Sequence, residues 1–265
     1  MIEQKNNIKK DKRIKRIVEI DPSSKQITIL DSRFYQRKPD VFYPSVTYVL
    51  SHFPKGKFFE DWLKDVGHNS KYVVEKASRE GTQVHEAIEN YLEGKEITWI
   101  DDYGNAKYSL EVWKMILRFT EFWAEHKPEL ISSEEHLFSD TLKIAGTADL
   151  VVKIDGEIWM LDIKTSNSLH ETYNLQLACY TQAWNECFDT PIQRRGILWL
   201  KSGSRGEDKS GKKMKGRGWE IKECPNTLQE DVDIFKHLYE IFTVSVGKLK
   251  PLSEIYPTSV KLDKK

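Results

Sequence analysis

Apolar and polar positions alternate with period two over residues 15–31 (KRIVEIDPSSKQITILD), on either side of a Pro-Ser-Ser turn, which predicts a β-hairpin. The run YPSVTYVL (43–50) leads into an aromatic-rich helical pattern around Phe58, Phe59 and Trp62. Over 69–94 the spacing becomes helical, with Val73, Val74, Ala77, Val84, Ile88 and Leu92 on one apolar stripe interrupted at Gly81. A second helix over 107–126 is expected to bury Trp113, Ile116, Leu117 and Trp123. Three β-rich runs follow at 133–139, 143–154 and 157–165, then a helix near 171–187 and strands at 195–201 and 217–223. A closing helix from about 227 to about 248 opens at Asn226 and Thr227, with Glu230 in the capping-box position. Helices followed by a mostly antiparallel sheet with one helix inserted predict an α/β or α+β domain.

Composition narrows the functional classes. The chain has 265 residues, enough for one large domain or one domain with appended elements. It has no apolar run of about 18 residues, so no membrane span is expected. Its basic N-terminus has no apolar signal core, and Glu3, Asp11 and a lack of serine argue against a transit peptide; it reads as a charged leader. Cys179, Cys187 and Cys224 suit neither a disulfide framework nor a closely spaced zinc site, and are too few for a four-cysteine iron–sulfur cluster. A reducing, intracellular (cytoplasmic) setting is expected. Lys+Arg and Asp+Glu balance at 41 each, so any affinity for nucleic acid has to come from local patches. The segment 201–217 is such a patch, with seven Lys/Arg against two acids. Its Lys209, Lys212, Lys213, Lys215 and Arg217 read equally as contacts to DNA phosphates or as a solvated loop. Within it GEDKSGKK (206–213) misses the phosphate-binding loop pattern, because Lys213 stands where Ser or Thr is needed and no strong helix follows; no nucleotide site is expected. Trp113, Trp123, Trp159 and Trp184 fit apolar stripes and are expected in the core.

The stretch GTADLVVKIDGEIWMLDIKTS (146–166) carries the chemistry. Asp155-Gly156 between two β runs is a two-residue hairpin signal, because a type I′ turn needs positive φ at both positions. Ile154 then faces Glu157, and counting outward sets Asp149 opposite Asp162, with Cβ atoms ~4.5–5.5 Å apart. A bulge would shift that register. Two facing carboxylates must share a proton, pair with a cation or bind a metal. Lys164 leaves the same face as Asp162, while Leu150, Val152, Ile154, Trp159, Leu161 and Ile163 line the other, the expected core side. A lone Asp-x-Lys reads better as a salt bridge; the second carboxylate placed by register favours a site. Hard oxygen donors suit Mg²⁺ or Mn²⁺, and such an ion with a neighbouring lysine can hydrolyse a phosphodiester.

At these residues the sequence resembles the PD-(D/E)XK nuclease superfamily, in particular its RecB-like exonuclease branch. That branch includes mitochondrial genome maintenance exonuclease and CRISPR-associated relatives. GTQVHEAIENYL (81–92) is similar to the branch's histidine motif, AGTADLV (145–151) to its Gly-x-x-Asp strand, LDIKTS (161–166) to Asp-x-Lys and QLACY (176–180) to Gln-x-x-x-Tyr. YPSVTYVL also resembles a segment that precedes the histidine motif in this branch. Ala148 stands where the superfamily name has proline, and the cysteines that hold an iron–sulfur cluster in some relatives are missing. The resemblance implies a restriction-endonuclease-like core with a central mixed, largely antiparallel sheet flanked by helices. It divides the chain into a leader and hairpin (1–42), a nuclease domain (43–250) and a tail (251–265). It makes Asp149, Asp162, Lys164 and His85 catalytic, with His85, Asp149, Asp162 and the Ile163 carbonyl as metal ligands. His85 alone would read as a structural histidine. Gln176 and Tyr180 would contact DNA or orient Lys164, and Tyr180 could equally be core. Glu135 is a possible extra acid, with its neighbour Glu134 competing, and Glu89 reads equally as a solvated charge. The implied activity is a Mg²⁺- or Mn²⁺-dependent DNA exonuclease without an iron–sulfur cluster, acting from single-stranded or free ends and leaving 5′-phosphates. Repair, recombination or phage genome processing would be its setting. An endonuclease with the same site, or a silent nuclease-fold DNA-binding subunit, are the alternatives.

Overall fold

The computed structural model describes residues 13–15, 23–29, 32–200, 218–251 and 255–257. The chain opens with β1 (Arg13–Lys15), followed by β2 (Gln26–Ile29), β3 (Ser32–Lys38) and β4 (Val41–Pro44). The last three form a small antiparallel sheet. Of the hairpin expected over 15–31, the arm at β2 is described and pairs with β3; the preceding arm lies outside the described residues. Helix α1 (Val46–Leu50) is capped by Ser45, whose Oγ accepts the Tyr48 N–H at 3.0 Å. Helix α2 (Lys57–Val66) ends at Gly67, and α3 (Ser70–Leu92) follows.

The apolar stripe expected along α3 holds only in its second half. Val84, Ala87 and Ile88 are buried, whereas Val73 and Val74 are 42% and 54% exposed, because among the described residues no layer covers the first half of the helix. Helix α4 (Leu110–His126) buries Val112, Met115, Ile116, Phe119 and Phe122. Leu117 falls one position off that stripe and is exposed, and Trp113 and Trp123 are half-buried at its flank, where Trp113 stacks on Trp99. Trp159 is half-buried as well; of the four tryptophans expected in the core, Trp184 is fully inside.

The central sheet follows. Strands β5 (Glu129–Ser139), β6 (Ile144–Ile154) and β7 (Glu157–Lys164) form an antiparallel meander. Helix α5 (Thr172–Cys187) then crosses over to β8 (Arg194–Trp199), which lies parallel to β7. Strand β9 (Glu220–Glu223) completes the order β5-β6-β7-β8-β9. Helix α6 (Leu228–Val246) begins with the capping box Thr227/Glu230 read from the sequence, and β10 (Ile255–Pro257) pairs with β1. The fold is the mixed α/β class expected, with a largely antiparallel sheet flanked by helices.

Both faces of this sheet are covered. Leu150, Val152, Ile154, Leu161 and Ile163 pack with α3 and α4, as the alternation predicts. On the opposite face Val151, Met160 and Ile197 pack against Leu177, Ala178 and Cys179 of α5 and Phe235 and Phe242 of α6. Such double coverage explains why α5 is buried on nearly every side. The small sheet is stapled to the central one at three points: Ser45 bridges Ala145, Arg37 binds Asp140 through Nε (3.1 Å) and NH2 (2.8 Å), and the Tyr43 hydroxyl donates to Asp140 (2.8 Å). The basic residues Lys209, Lys212, Lys213, Lys215 and Arg217 lie outside the described residues. Among the described residues no helix is long and apolar enough to cross a membrane.

Candidate active site

Asp155 (φ +50°) and Gly156 (φ +88°) make the turn the sequence calls for, and the register runs from Ile154↔Glu157 to Leu150↔Leu161 as counted. There the ladder stops, one pair short of the carboxylates. Asp149 is not paired across the ladder with Asp162; its Oδ2 instead accepts the Ile163 N–H at 2.7 Å. The two strands therefore part into a fork, and β7 continues beside β8 as far as Lys164↔Trp199.

A third acid enters from β5. Ser133↔Leu150 and Glu135↔Ala148 are in register, which brings Glu134 level with Asp149. Glu134 has φ +50°, an uncommon backbone for a residue with a Cβ, and its carboxylate reaches the fork. Glu135, the acid singled out from the sequence, instead accepts the Ser132 hydroxyl at 2.6 Å and is not part of the cluster. Glu89 sits on the exposed face of α3, also outside it.

Helix α3 brings His85. A Cβ on Gly81 would lie 3.2 Å from Thr165 Oγ1, so the helix backbone runs close to the end of β7, and His85 follows one turn later. Its Nε2 is 3.2 Å from the Ile163 carbonyl oxygen, while Nδ1 faces Glu134 Oε1 at 3.6 Å and Asp149 Oδ2 at 3.9 Å. Burial opposes a charge on this imidazole, but Asp149 and Glu134 overcome it and raise the pKa to about 9. One donor atom each from His85, Glu134 and Asp149 lies within 4.8 Å of the others.

Asp162 is 1% exposed. Its Oδ1 accepts Gln176 Nε2 at 2.9 Å, and Oδ2 lies 2.6 Å from Lys164 Nζ without a well-aligned hydrogen bond. Burial pushes this carboxyl above its ordinary range, against the pull of Lys164. For Lys164, burial works against the charge, and Asp162 with Asp149 more than offset it, keeping the ammonium protonated. The Gln176 Oε1 accepts from Nζ at 3.5 Å, and the Tyr173 ring lies 4.6 Å from it on another side. Tyr173 was not marked by the sequence: it lies three residues before Gln176, one turn of α5 away, which only the helix's placement over Lys164 makes relevant. Tyr180 is buried against the strand, where a Cβ on Gly146 would come within 2.5 Å of its ring. Burial also holds its hydroxyl well above the usual range, so it stays a neutral phenol.

Three carboxylates thus face one lysine and one histidine, and even with both protonated a negative charge is left over. That surplus, the under-satisfied Asp162 oxygen and the close donor atoms of His85, Glu134 and Asp149 fit a hard divalent cation.

A sequence model of the PD-(D/E)XK nuclease superfamily matches residues 35–241, a span that includes every member of this cluster. No curated protein sequence matches the chain. Among solved structures, the chain is similar to a crystal structure from Eubacterium rectale, provisionally designated an exonuclease, with 16% identity and a TM-score of 0.40 over 66% of this chain and 69% of that one. The family match spans well over half of the chain, which therefore belongs to the PD-(D/E)XK nuclease superfamily.

Proposed function

We propose that the fork is the active site of a Mg²⁺- or Mn²⁺-dependent exonuclease that hydrolyses DNA from single-stranded ends. The observation that carries this reading is the convergence of Glu134, Asp149 and His85 beside the Asp162–Lys164 pair. In it His85, Glu134 and Asp149 hold the ion, with Asp162 and the Ile163 carbonyl as further donors. Mixed imidazole and carboxylate donors accept Mn²⁺ as well as Mg²⁺. When bound, the ion supplies Lewis-acid stabilisation of the phosphoryl oxygens and lowers the pKa of water.

The chain's own residues do the rest. Asp162 anchors Lys164, and Gln176 fixes both through its amide, donating to the carboxylate and accepting from the ammonium. So held, the Lys164 ammonium orients the attacking water and offsets charge developing on the phosphate. Tyr173 and the α5 wall limit the motion of that ammonium. The RecB-like resemblance supports DNA as substrate and attack from an end.

Linear and circular single-stranded DNA incubated with Mn²⁺, Mg²⁺ or chelator provide the test. Degradation of the linear form alone, dependent on the ion and absent in Asp162→Ala and Lys164→Ala, is expected. Cutting of the circle identifies an endonuclease with the same site; undiminished digestion by both variants removes the site assignment.

A further inference from the structure

A polar cleft of about 370 Å³ opens between the small β2–β3–β4 sheet and the mouth of the fork. Glu134 and Asp149 line it together with Arg33, Ser45, Thr47 and Thr147. Small-ligand sites run from ~300 to ~1,000 Å³, so the space suits a single nucleotide unit better than a duplex.

Its lining carries both signs of charge. The acids belong to the fork, where a cation answers them. The Arg33 guanidinium is exposed, lies beside the Tyr35 hydroxyl, and pairs with no carboxylate among the described residues. Arg37, Arg194 and Arg195, by contrast, each bind a carboxylate. The Arg33 backbone is fixed from both sides, pairing with Thr28 on β2 while its carbonyl accepts the Ser45 N–H at 2.9 Å. A cation without a carboxylate partner among the described residues, on a strand paired on both sides and beside the Tyr35 hydroxyl, with Ser45 and Thr47 lining the same cleft, is arranged to receive an anion. Ser24, Gln26 and Arg33, all on this wall, also precede residue 35, where the superfamily match begins.

We propose that the cleft is a subsite for the phosphate adjacent to the bond being cut, with Arg33 as its cation and the Ser45 and Thr47 hydroxyls beside it. A polynucleotide carries a phosphate at every residue, so seating one at the fork brings its neighbour to the adjoining space. The planar guanidinium matches phosphate oxygens in a bidentate fork that a lysine does not reproduce. This inference rests on the reading of the fork as a phosphodiesterase site.

Steady-state hydrolysis of oligothymidylates of decreasing length, and salt-dependent binding of a fluorescent oligothymidylate on an Asp162→Asn background, test it. Arg33→Ala should raise KM about tenfold, the loss expected for one charge-assisted contact, and leave kcat within about twofold. It should lower the slope of log K against log salt by about 0.7, the value for one phosphate contact on a single strand. Shortening the substrate past the cleft should raise KM in the wild type and not in Arg33→Ala. Thr47→Trp, which fills the cleft without changing charge, should also raise KM, and it decides the matter if Arg33→Ala folds poorly. Wild-type hydrolysis with KM and salt slope unchanged in these variants overturns the subsite alone. A wild type that neither binds nor hydrolyses the oligonucleotide overturns the nuclease reading, and the subsite with it.

Discussion

Two clusters of buried charge lie on neighbouring strands of the central sheet. At Arg195 on β8 the account closes: NH1 binds Asp231 Oδ2 at 2.9 Å, NH2 donates to the Asn226 carbonyl at 2.8 Å, and Asn226 Nδ2 donates to Asp231 Oδ1 at 2.8 Å. One cation meets one anion, and both carboxylate oxygens of Asp231 have a donor. At Asp162 on β7 three carboxylates meet Lys164 and His85, and one buried oxygen lacks a well-aligned donor. The first cluster is balanced, whereas the second carries a surplus of negative charge that a bound cation would offset. Buried charge by itself therefore does not mark a site; a surplus of one sign with an unmet acceptor does.

The largest expected effect separates the two by activity. Asp162→Asn and Lys164→Ala should each lower hydrolysis by about 10³-fold or more, as for groups acting on the reacting centre, with the thermal midpoint of Asp162→Asn close to that of wild type. Removing an acid from a cluster with too many relieves repulsion, so the Asp162→Asn midpoint should hold, whereas Lys164→Ala strips a cation from the same acids and should lower its own midpoint. Near-wild-type rates in both variants would erase the distinction.

Stability separates them the other way. Asp231→Ala leaves Arg195 buried without its partner and should cost about 3–5 kcal/mol in urea unfolding, with turnover per folded molecule unchanged. Replacing the pair together, Arg195→Met with Asp231→Leu, should recover most of that loss. A large fall in turnover per folded molecule would mean that this cluster too serves the reaction.

Gly146→Ala probes the wall between core and cleft. The new Cβ forces the Tyr180 ring to move, an overpacking cost of about 1–3 kcal/mol, so unfolding midpoint and activity should fall together. An unaltered midpoint would show that the ring yields freely.

The smallest effect concerns pH. Without divalent ions the folded pKa of His85, about 9, lies above its ordinary 6.5. The stabilisation from its protonated form is therefore fully present below 6.5 and is lost as pH rises through 9. Urea midpoints measured in chelator should fall over that interval, and the fall should be shallower in His85→Gln. Equal pH profiles would remove His85 from the electrostatics of the fork.

Much of the fork was legible because a two-residue turn fixes register by counting. Asp155-Gly156 predicts the β6–β7 pairs correctly, and Lys164 follows from strand alternation. The end of the ladder was not legible, since nothing local tells that Asp149 will bind the Ile163 backbone instead of facing Asp162. Glu134 was named as a competitor of Glu135, and the choice between them stayed open for a related reason. The β5–β6 connection at 140–143 has no glycine to fix its register, so counting from the turn cannot say which of Glu134 and Glu135 comes level with Asp149. Val73, Val74 and Leu117 have the right period for burial, but periodicity cannot say whether a layer exists to cover them.

Calorimetric titration of Mn²⁺ into the metal-free protein, in wild type and in the Glu134→Gln/Asp149→Asn double variant, tests the central claim most directly. The wild type should show one saturable site with proton release near neutral pH, because the ion displaces the proton that the acids hold on His85. The double variant should lose that site while keeping the wild-type fold. Equal Mn²⁺ affinity in the two proteins would contradict the assignment of the fork as a metal centre.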